Sequence, residues 1–370
     1  MDGLYIHIPF CVSKCKYCDF ASFSGMGYIA DKYIDFLCAE MEKYKGHKFD
    51  TVYIGGGTPT VLDCNQLERI FTGIYNNFDI ATGSEITVEA NPKTVDLIKA
   101  KTLKNLGVNR VSLGAQSMND DELKLLGRIH TSYDTEQTVD TIYKSGINNI
   151  SVDLMYALPQ QTKNKICNSI NKVINLCPKH ISCYALKIES GTPFYQMKKT
   201  GEIAELDDDL TADMYELITD KLKSKGYEHY EISNFANKGY ESCHNTKYWK
   251  CIDYVGLGLG AASCLDGVRF ANSQKFDDYF NGYKKSEEYI LSKDEQMSEF
   301  IILGLRLIKE GVSKEKFKNI FSADIYDAFG EIINKHISNG LLEDNGKSIV
   351  LTPRAYFISN YVMSDFVNNM

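Results

Sequence analysis

Three cysteines near the start of the chain, Cys11, Cys15 and Cys18, are the residues whose type and spacing most constrain its chemistry. They follow a short β-like run, Tyr5-Ile6-His7-Ile8-Pro9-Phe10, and share one loop. Three thiolates on a short loop can hold three irons of a cubane [4Fe–4S] cluster and leave the fourth iron without a protein ligand. That iron is free to take a small chelating molecule. Structural zinc is the other use of clustered thiolates, but such sites usually close with four ligands, and no nearby Cys or His completes this one.

A loop of this kind needs a scaffold. From residue 2 to about 231 short β runs alternate with longer helical stretches. Strands are expected near 4–8, 51–54, 85–90, 110–114, 150–155 and 180–185, and amphipathic helices over 28–44, 65–78, 94–106, 133–145 and 163–176. Gly46, Gly107 and Gly146 stand where helix C-caps belong. Six strand–helix repeats imply a parallel sheet with right-handed crossovers, too few for an eight-fold barrel. The expected architecture is α/β, a partial (β/α)6 TIM-like barrel. In such folds functional residues gather just beyond the C-terminal ends of the strands.

They do so here. After the second strand comes Gly55-Gly56-Gly57-Thr58-Pro59-Thr60, which lets backbone approach a ligand but lacks the lysine of a phosphate loop. The third strand ends at Glu89, whose carboxylate suits an ammonium or ribose hydroxyls; a solvated strand end is the plainer use. The fourth places Gln116 over the same mouth, and Arg128 follows in Leu126-Gly127-Arg128. A guanidinium there can meet a carboxylate ligand or form a surface ion pair. Asp153 lies inside an otherwise apolar fifth strand and must find partners, because an unpaired buried charge is costly.

The C-x3-C-x2-C spacing, with an aromatic residue before the last cysteine, resembles the signature of the radical S-adenosylmethionine superfamily. The ordered segments YxHxPFCxxxCxxC, GGGTPT, VEANP, LGAQS, LGR, DLMYALPQQT and YAL resemble one branch of it. That branch holds the oxygen-independent coproporphyrinogen III oxidases and the related HemW-type haem chaperones. The resemblance implies a [4Fe–4S] cluster on Cys11, Cys15 and Cys18, with S-adenosylmethionine contacted by Tyr5, Tyr17, Gly56, Gly57, Thr58, Glu89, Gln116, Arg128, Asp153 and Ala185. Tyr5 is expected nearest that ligand. Phe20 occupies the position where the oxidases carry a fourth cysteine, and the chaperones' HNxxYW motif is intact from His244 to Trp249. The chain as given also starts four residues before Tyr5, without the extension typical of the oxidases. These features favour a haem-delivering chaperone over an oxidase that turns propionates into vinyls. His244 then becomes a haem-binding candidate, or else part of a packing motif. The resemblance adds haem as a third ligand, apo-haemoproteins of the respiratory chain as partners, and room for a homodimer.

Beyond residue 231 the pattern changes. An extension over 232–285 carries the His244 run and a glycine-rich stretch, Gly256-Leu257-Gly258-Leu259-Gly260, expected to approach the pocket. Helices over 297–307 and 325–338, an Asn345-Gly346 hairpin signal and a last helix over 354–366 suggest a small winged-helix-like α+β domain over 286–370. Forty-one basic against 49 acidic residues give a net charge of -8, which argues against nucleic acid as a partner. The remaining eight of the 11 cysteines are scattered and read as small buried hydrophobes in a reducing cytoplasm. No signal peptide and no apolar run of ~18 residues is visible, so a cytoplasmic protein with at most peripheral membrane contact through a partner is expected.

Overall fold

A computed structural model describes residues 1–367 of the 370-residue chain. Its centre is a run of six parallel strands hydrogen-bonded in chain order: β1 (Asp2–Ile8), β2 (Lys48–Gly56), β3 (Asp79–Ala90), β4 (Arg110–Gln116), β5 (Asn149–Tyr156) and β6 (His180–Ala185). Helices α1 (Ala30–Met41), α2 (Cys64–Asn77), α3 (Leu97–Asn105), α4 (Asp120–Leu126), α5 (Ser132–Lys144) and α6 (Lys163–Asn175) connect them, as the partial (β/α)6 barrel requires. Local chemistry sets several boundaries. Asp63 with Gln66 forms a capping box at α2, and Thr131 with Asp134 does the same at α5. Strands β2 and β3 begin earlier than the sequence pattern suggested. Their first residues pair before a register shift at Phe49/Thr51, which breaks the alternation a reader looks for.

The strands alternate between two environments. Leu4, Ile6 and Ile8 on β1, Val52 and Ile54 on β2, Val111 and Leu113 on β4, and Ile150, Val152 and Leu154 on β5 belong to the main apolar core. The opposite face carries Tyr5, His7, Tyr53, Glu89, Ser112, Gln116, Ser151, Asp153, His180 and Tyr184. Register pairs such as Tyr5 with Tyr53, and Ser112 with Ser151 and then His180, keep these residues on one side. A closed eight-stranded barrel fills its interior with branched apolar side chains. Here the interior is polar, which makes it a chamber and not a packed core.

The sheet runs on past the six strands. On one side β7 (Glu228–Glu231) and β8 (Asn234–Ala236) extend the sheet, β8 pairing antiparallel with β6 and β7 antiparallel with β8 at the edge. On the other, β9 (Tyr254–Leu257) adds parallel to β1, followed by antiparallel β10 (Ala262–Leu265), β11 (Val268–Asn272) and β12 (Lys285–Ile290). The result is an open, mixed, 12-stranded sheet. Buried Glu40 of α1 fixes the extension in place, accepting hydrogen bonds from Gly258 N (2.8 Å), Asn272 Nδ2 (2.7 Å) and Tyr279 Oη (2.7 Å). The glycine-rich stretch serves this packing. A Cβ on Gly256 would lie 2.0 Å from Ala262 O, and one on Gly258 would lie 2.4 Å from Tyr33 Oη.

Helices α7 (Pro193–Lys199), α8 (Asp208–Ser224), α9 (Cys243–Trp249) and α10 (Phe276–Phe280) complete this part. The C-terminal residues build a second core from α11 (Lys293–Gly304), α12 (Lys314–Phe321), α13 (Ile325–Ser338) and α14 (Ser359–Val367). A three-stranded antiparallel sheet, β13 (Val312–Ser313), β15 (Ser348–Leu351) and β14 (Leu342–Asp344) in spatial order, lies against them. The Asn345-Gly346 hairpin is present, with Asn345 Oδ1 accepting from Ser348 N at 2.9 Å. Fully buried Glu231 pairs with Arg306 across the seam to the barrel, and Tyr230 O accepts from Ile308 N at 3.1 Å. Among the described residues no helix is long and apolar enough to cross a membrane.

Candidate functional site

The three-cysteine loop leaves β1 at Pro9 and is pinned at both ends. Phe10–Cys11 pairs in parallel with Phe23–Ser24, and His7 Nε2 bonds to Ala21 O at 2.9 Å. Cys11, Cys15 and Cys18 are each half-buried and line one chamber of about 340 Å³ at the C-terminal ends of the strands. Among the described residues no three His, Cys, Asp or Glu converge closely enough to hold a single metal ion. Thr58 Oγ1 lies 3.6 Å from Cys11 Sγ, and Ser22 Oγ lies 3.6 Å from Cys18 Sγ.

Glycine makes the loop's neighbour possible. Gly56 has φ of 106°, and a Cβ there would sit 2.5 Å from the His7 ring. A Cβ on Gly57 would lie 2.7 Å from Phe10 O and 3.1 Å from Cys11 Sγ. Backbone can approach the cluster loop this closely only without side chains.

Glu89 is the chamber's central acid. Tyr53 Oη donates to its Oε1 at 2.7 Å and Gly56 N to its Oε2 at 3.0 Å. Burial raises its pKa to about 7, with Asp153 adding to the rise and the two hydrogen bonds opposing it. Asp153 is likewise pushed up by burial, although Ser182, Ser112 and Ser151 hydrogen-bond to it. Arg128 reaches in from the loop after α4, donating to Cys15 Sγ at 3.3 Å, to Gly114 O at 2.5 Å and to Asn91 Oδ1. It is thus no surface ion pair. Beside the Cys15 thiol it supplies positive charge to a chamber that also holds the carboxyls of Glu89 and Asp153. Gln116 sits opposite, accepting from Tyr184 Oη at 2.8 Å.

Of the residues singled out in the sequence, Cys11, Cys15, Cys18, Tyr17, Gly56, Gly57, Thr58, Glu89, Gln116, Arg128 and Asp153 line this chamber together. Three do not. Tyr5 turns to His7, its Oη 2.9 Å from Nδ1, and lines a different cleft. Ala185 ends β6, exposed beside Tyr156. His244 is fully buried on α9. Its Nδ1 lies 2.9 Å from Thr51 Oγ1 and its Nε2 2.8 Å from Tyr248 Oη, and burial lowers its pKa to about 3. Both ring nitrogens are engaged, so in this conformation His244 offers no lone pair to an iron. It locks α9 onto β2, the packing alternative. The glycine-rich stretch likewise faces β1 and its own return strand instead of the chamber. Sequence reasoning missed Tyr53, Asn91 and Arg110 among the chamber's walls. Tyr53 was readable from its place between Val52 and Ile54; Arg110 and Asn91 carried no such signal.

A polar, glycine-cradled chamber under a three-thiol loop, at the mouth of a partial parallel barrel, is the layout of a radical S-adenosylmethionine protein. Residues 5–173 match the radical SAM superfamily and residues 291–358 the HemN C-terminal domain. The heme chaperone HemW of Lactococcus lactis is 40% identical over 99% of this chain and 97% of its own. That of Bacillus subtilis is 34% identical over the full length of both. The chain belongs to the HemW family. The solved coproporphyrinogen III oxidase HemN of Escherichia coli shares the fold, with a TM-score of 0.87 over 100% of this chain and 90% of that one, at 21% identity. Membership of the radical SAM superfamily implies a [4Fe–4S] cluster and S-adenosylmethionine.

Proposed function

We propose that this chain is a haem chaperone, binding haem and delivering it to apo-haemoproteins, respiratory cytochromes among them. Cys11, Cys15 and Cys18 would hold the cluster, and the open iron would take the amino and carboxylate groups of S-adenosylmethionine. When bound and reduced, that pair supplies an electron to the sulfonium. This chain's residues bind and orient: Arg128 suits the ligand's carboxylate, Glu89 its cationic end or a ribose hydroxyl, and Asp153 further hydroxyls. The observation that carries the chaperone reading over the oxidase is the loop itself. It presents three thiols and then Phe20, 64% exposed, beside a chamber of about 340 Å³. That volume is near the bottom of the range for small-molecule pockets and suits a nucleoside-sized ligand. Full-length similarity to relatives named heme chaperones supports the same reading.

The reading includes a division into residues 1–231, 232–285 and 286–370, a cytoplasmic location and peripheral membrane contact through a partner. It leaves a homodimer open and gives nucleic acid no role. The test is a pair of anaerobic assays on cluster-reconstituted protein: haem titration by absorbance, and coproporphyrinogen III turnover with S-adenosylmethionine and reductant. Stoichiometric haem binding without protoporphyrinogen is the expected result. Turnover without haem binding would make the chain an oxidase.

A further inference from the structure

A second cavity, of about 860 Å³, lies between the Tyr5 and His7 face of β1, continued by β9–β10, and the C-terminal helices. Its volume falls in the upper part of the range for cofactor pockets, about 300–1,000 Å³. Aromatic side chains wall it from both sides: Tyr5, Tyr248, Trp249 and Tyr254 from the barrel, Phe300 and Phe321 from α11 and α12. Two thiols, Cys251 and Cys264, line it as well, and Cys264 is near enough to Cys251 to raise its pKa.

We propose that haem binds in this cleft, between the aromatic walls, with the Cys251–Cys264 thiol pair supplying the axial donor to the iron. The inference rests on the haem-chaperone reading and names the place where that ligand sits. Flat rings suit the faces of a macrocycle, and thiolate sulfur is an established haem ligand. Elimination points the same way. His7 lines the cleft, but its Nδ1 bonds Tyr5 Oη and its Nε2 bonds Ala21 O, both at 2.9 Å. His244 is buried behind Tyr248 with both nitrogens engaged. No imidazole therefore faces the space unpaired, whereas two sulfurs line it, Cys264 beside the Arg269 guanidinium and Cys251 nearby.

The thiols are placed with some care. Cys251 follows α9 with φ of 50°, a left-handed position that glycine or asparagine usually fills, so a cysteine there carries backbone strain. Arg269, held by Glu299 through contacts of 2.5 and 2.9 Å, stands beside Cys264. Burial raises the pKa of both thiols, and the Arg269 guanidinium opposes that rise. Binding ferric haem forms one Fe–S bond, releases the thiol proton to solvent and leaves the iron's oxidation state unchanged.

The experiment is an anaerobic titration of ferric haem into full-length, cluster-reconstituted protein, read in the Soret band and in the emission of Trp249, the only tryptophan. Wild type, the double variant Cys251→Ser/Cys264→Ser, and Ala262→Phe, which narrows the cleft without touching a thiol, are compared. The expected result is a thiolate-type spectrum in wild type and its loss in the double variant. Affinity should fall at least about tenfold in both variants, the lower end of what disturbing a metal's surroundings costs. Iron–sulfur absorption should remain, showing that both variants fold. A wild-type spectrum of imidazole or phenolate ligation, or variants that bind as tightly with an unchanged spectrum, would overturn the site while the chaperone reading stood. Absence of haem binding by wild type would defeat both.

Discussion

Glu89 should make S-adenosylmethionine binding depend on pH near neutrality. Its pKa in the ligand-free chamber is about 7, because burial outweighs the hydrogen bonds from Tyr53 and Gly56. A carboxylate that meets a cationic ligand must be ionised to do so. At pH 8 nearly all of Glu89 is ionised and at pH 6 roughly a tenth is, so affinity should fall about tenfold, or about 1.4 kcal/mol, between the two. Anaerobic calorimetric titrations of wild type and Glu89→Gln at intervals from pH 6 to 8 isolate the effect, since the ligand's own titration is common to both. The Gln variant should bind more weakly at pH 8 and lose the wild type's extra slope. Equal slopes, or tighter wild-type binding at pH 6, would refute the reasoning. The same shift acts on stability, with a definite sign. A carboxyl raised from 4.5 to about 7 on folding contributes stability that is complete below pH 4.5 and lost as the pH rises through 7. The full swing is at most about 3 kcal/mol, reduced because water reaches the chamber. Urea unfolding of the ligand-free pair should therefore show Glu89→Gln gaining on wild type between pH 5 and pH 8.

Three other perturbations test the framework. Cys15→Ser should abolish the iron–sulfur absorption and leave the far-ultraviolet dichroism of the barrel intact; full cluster absorption in that variant would remove Cys15 from the ligand set. Gly56→Ala forces a Cβ toward the His7 ring at a backbone φ of 106°, and should cost about 2 kcal/mol in urea unfolding as well as cluster yield. Arg306→Ala strips the guanidinium from Glu231, which is 0% exposed and keeps only its bonds to Ser233 N and Asn234 Nδ2. The expected loss is about 3 kcal/mol. Trp249 emission should also shift, since Arg306 stacks 4.2 Å from that ring; Arg306→Lys should lose less.

The sequence disclosed the scaffold and the chamber because both rest on local patterns. Apolar residues at helical spacing marked α2, α5 and α6, and each functional residue lay within a few positions of a strand end, where parallel topology brings them together. The cysteine spacing was stronger still, since few arrangements of three thiols on eight residues serve any other purpose. What sequence could not disclose depends on distant partners. The extension strands β9–β12 are short and interrupted by glycines, and they are held by Glu40, more than 200 residues away. His244, with aromatic neighbours, could be read as a haem ligand or as a packing residue. In the fold, Thr51 and Tyr248 stand at its two ring nitrogens, which the sequence pattern does not show. The scattered cysteines were set aside as packing, yet Cys251 and Cys264 line one cleft, Cys264 on the strand that returns beside β9.

The two cavities share a wall, and that wall is the first strand. Tyr5 faces the aromatic cleft, yet its ring lies 6.2 Å from Tyr53, whose hydroxyl holds Glu89 in the chamber. His7 joins Tyr5 to Ala21, three residues beyond Cys18, and Phe20 lines both spaces. A ligand in the cleft therefore touches side chains bonded directly to the cluster loop. Whatever free energy such a ligand gains from one arrangement of that loop, the cluster must gain equally from the ligand, because coupling between two sites is reciprocal. On this geometry a radical-type cofactor site does not need a radical reaction to matter. Ordering the loop that borders the cleft is work that cluster and S-adenosylmethionine can do without turnover, which is how a chaperone can keep the machinery of an enzyme family.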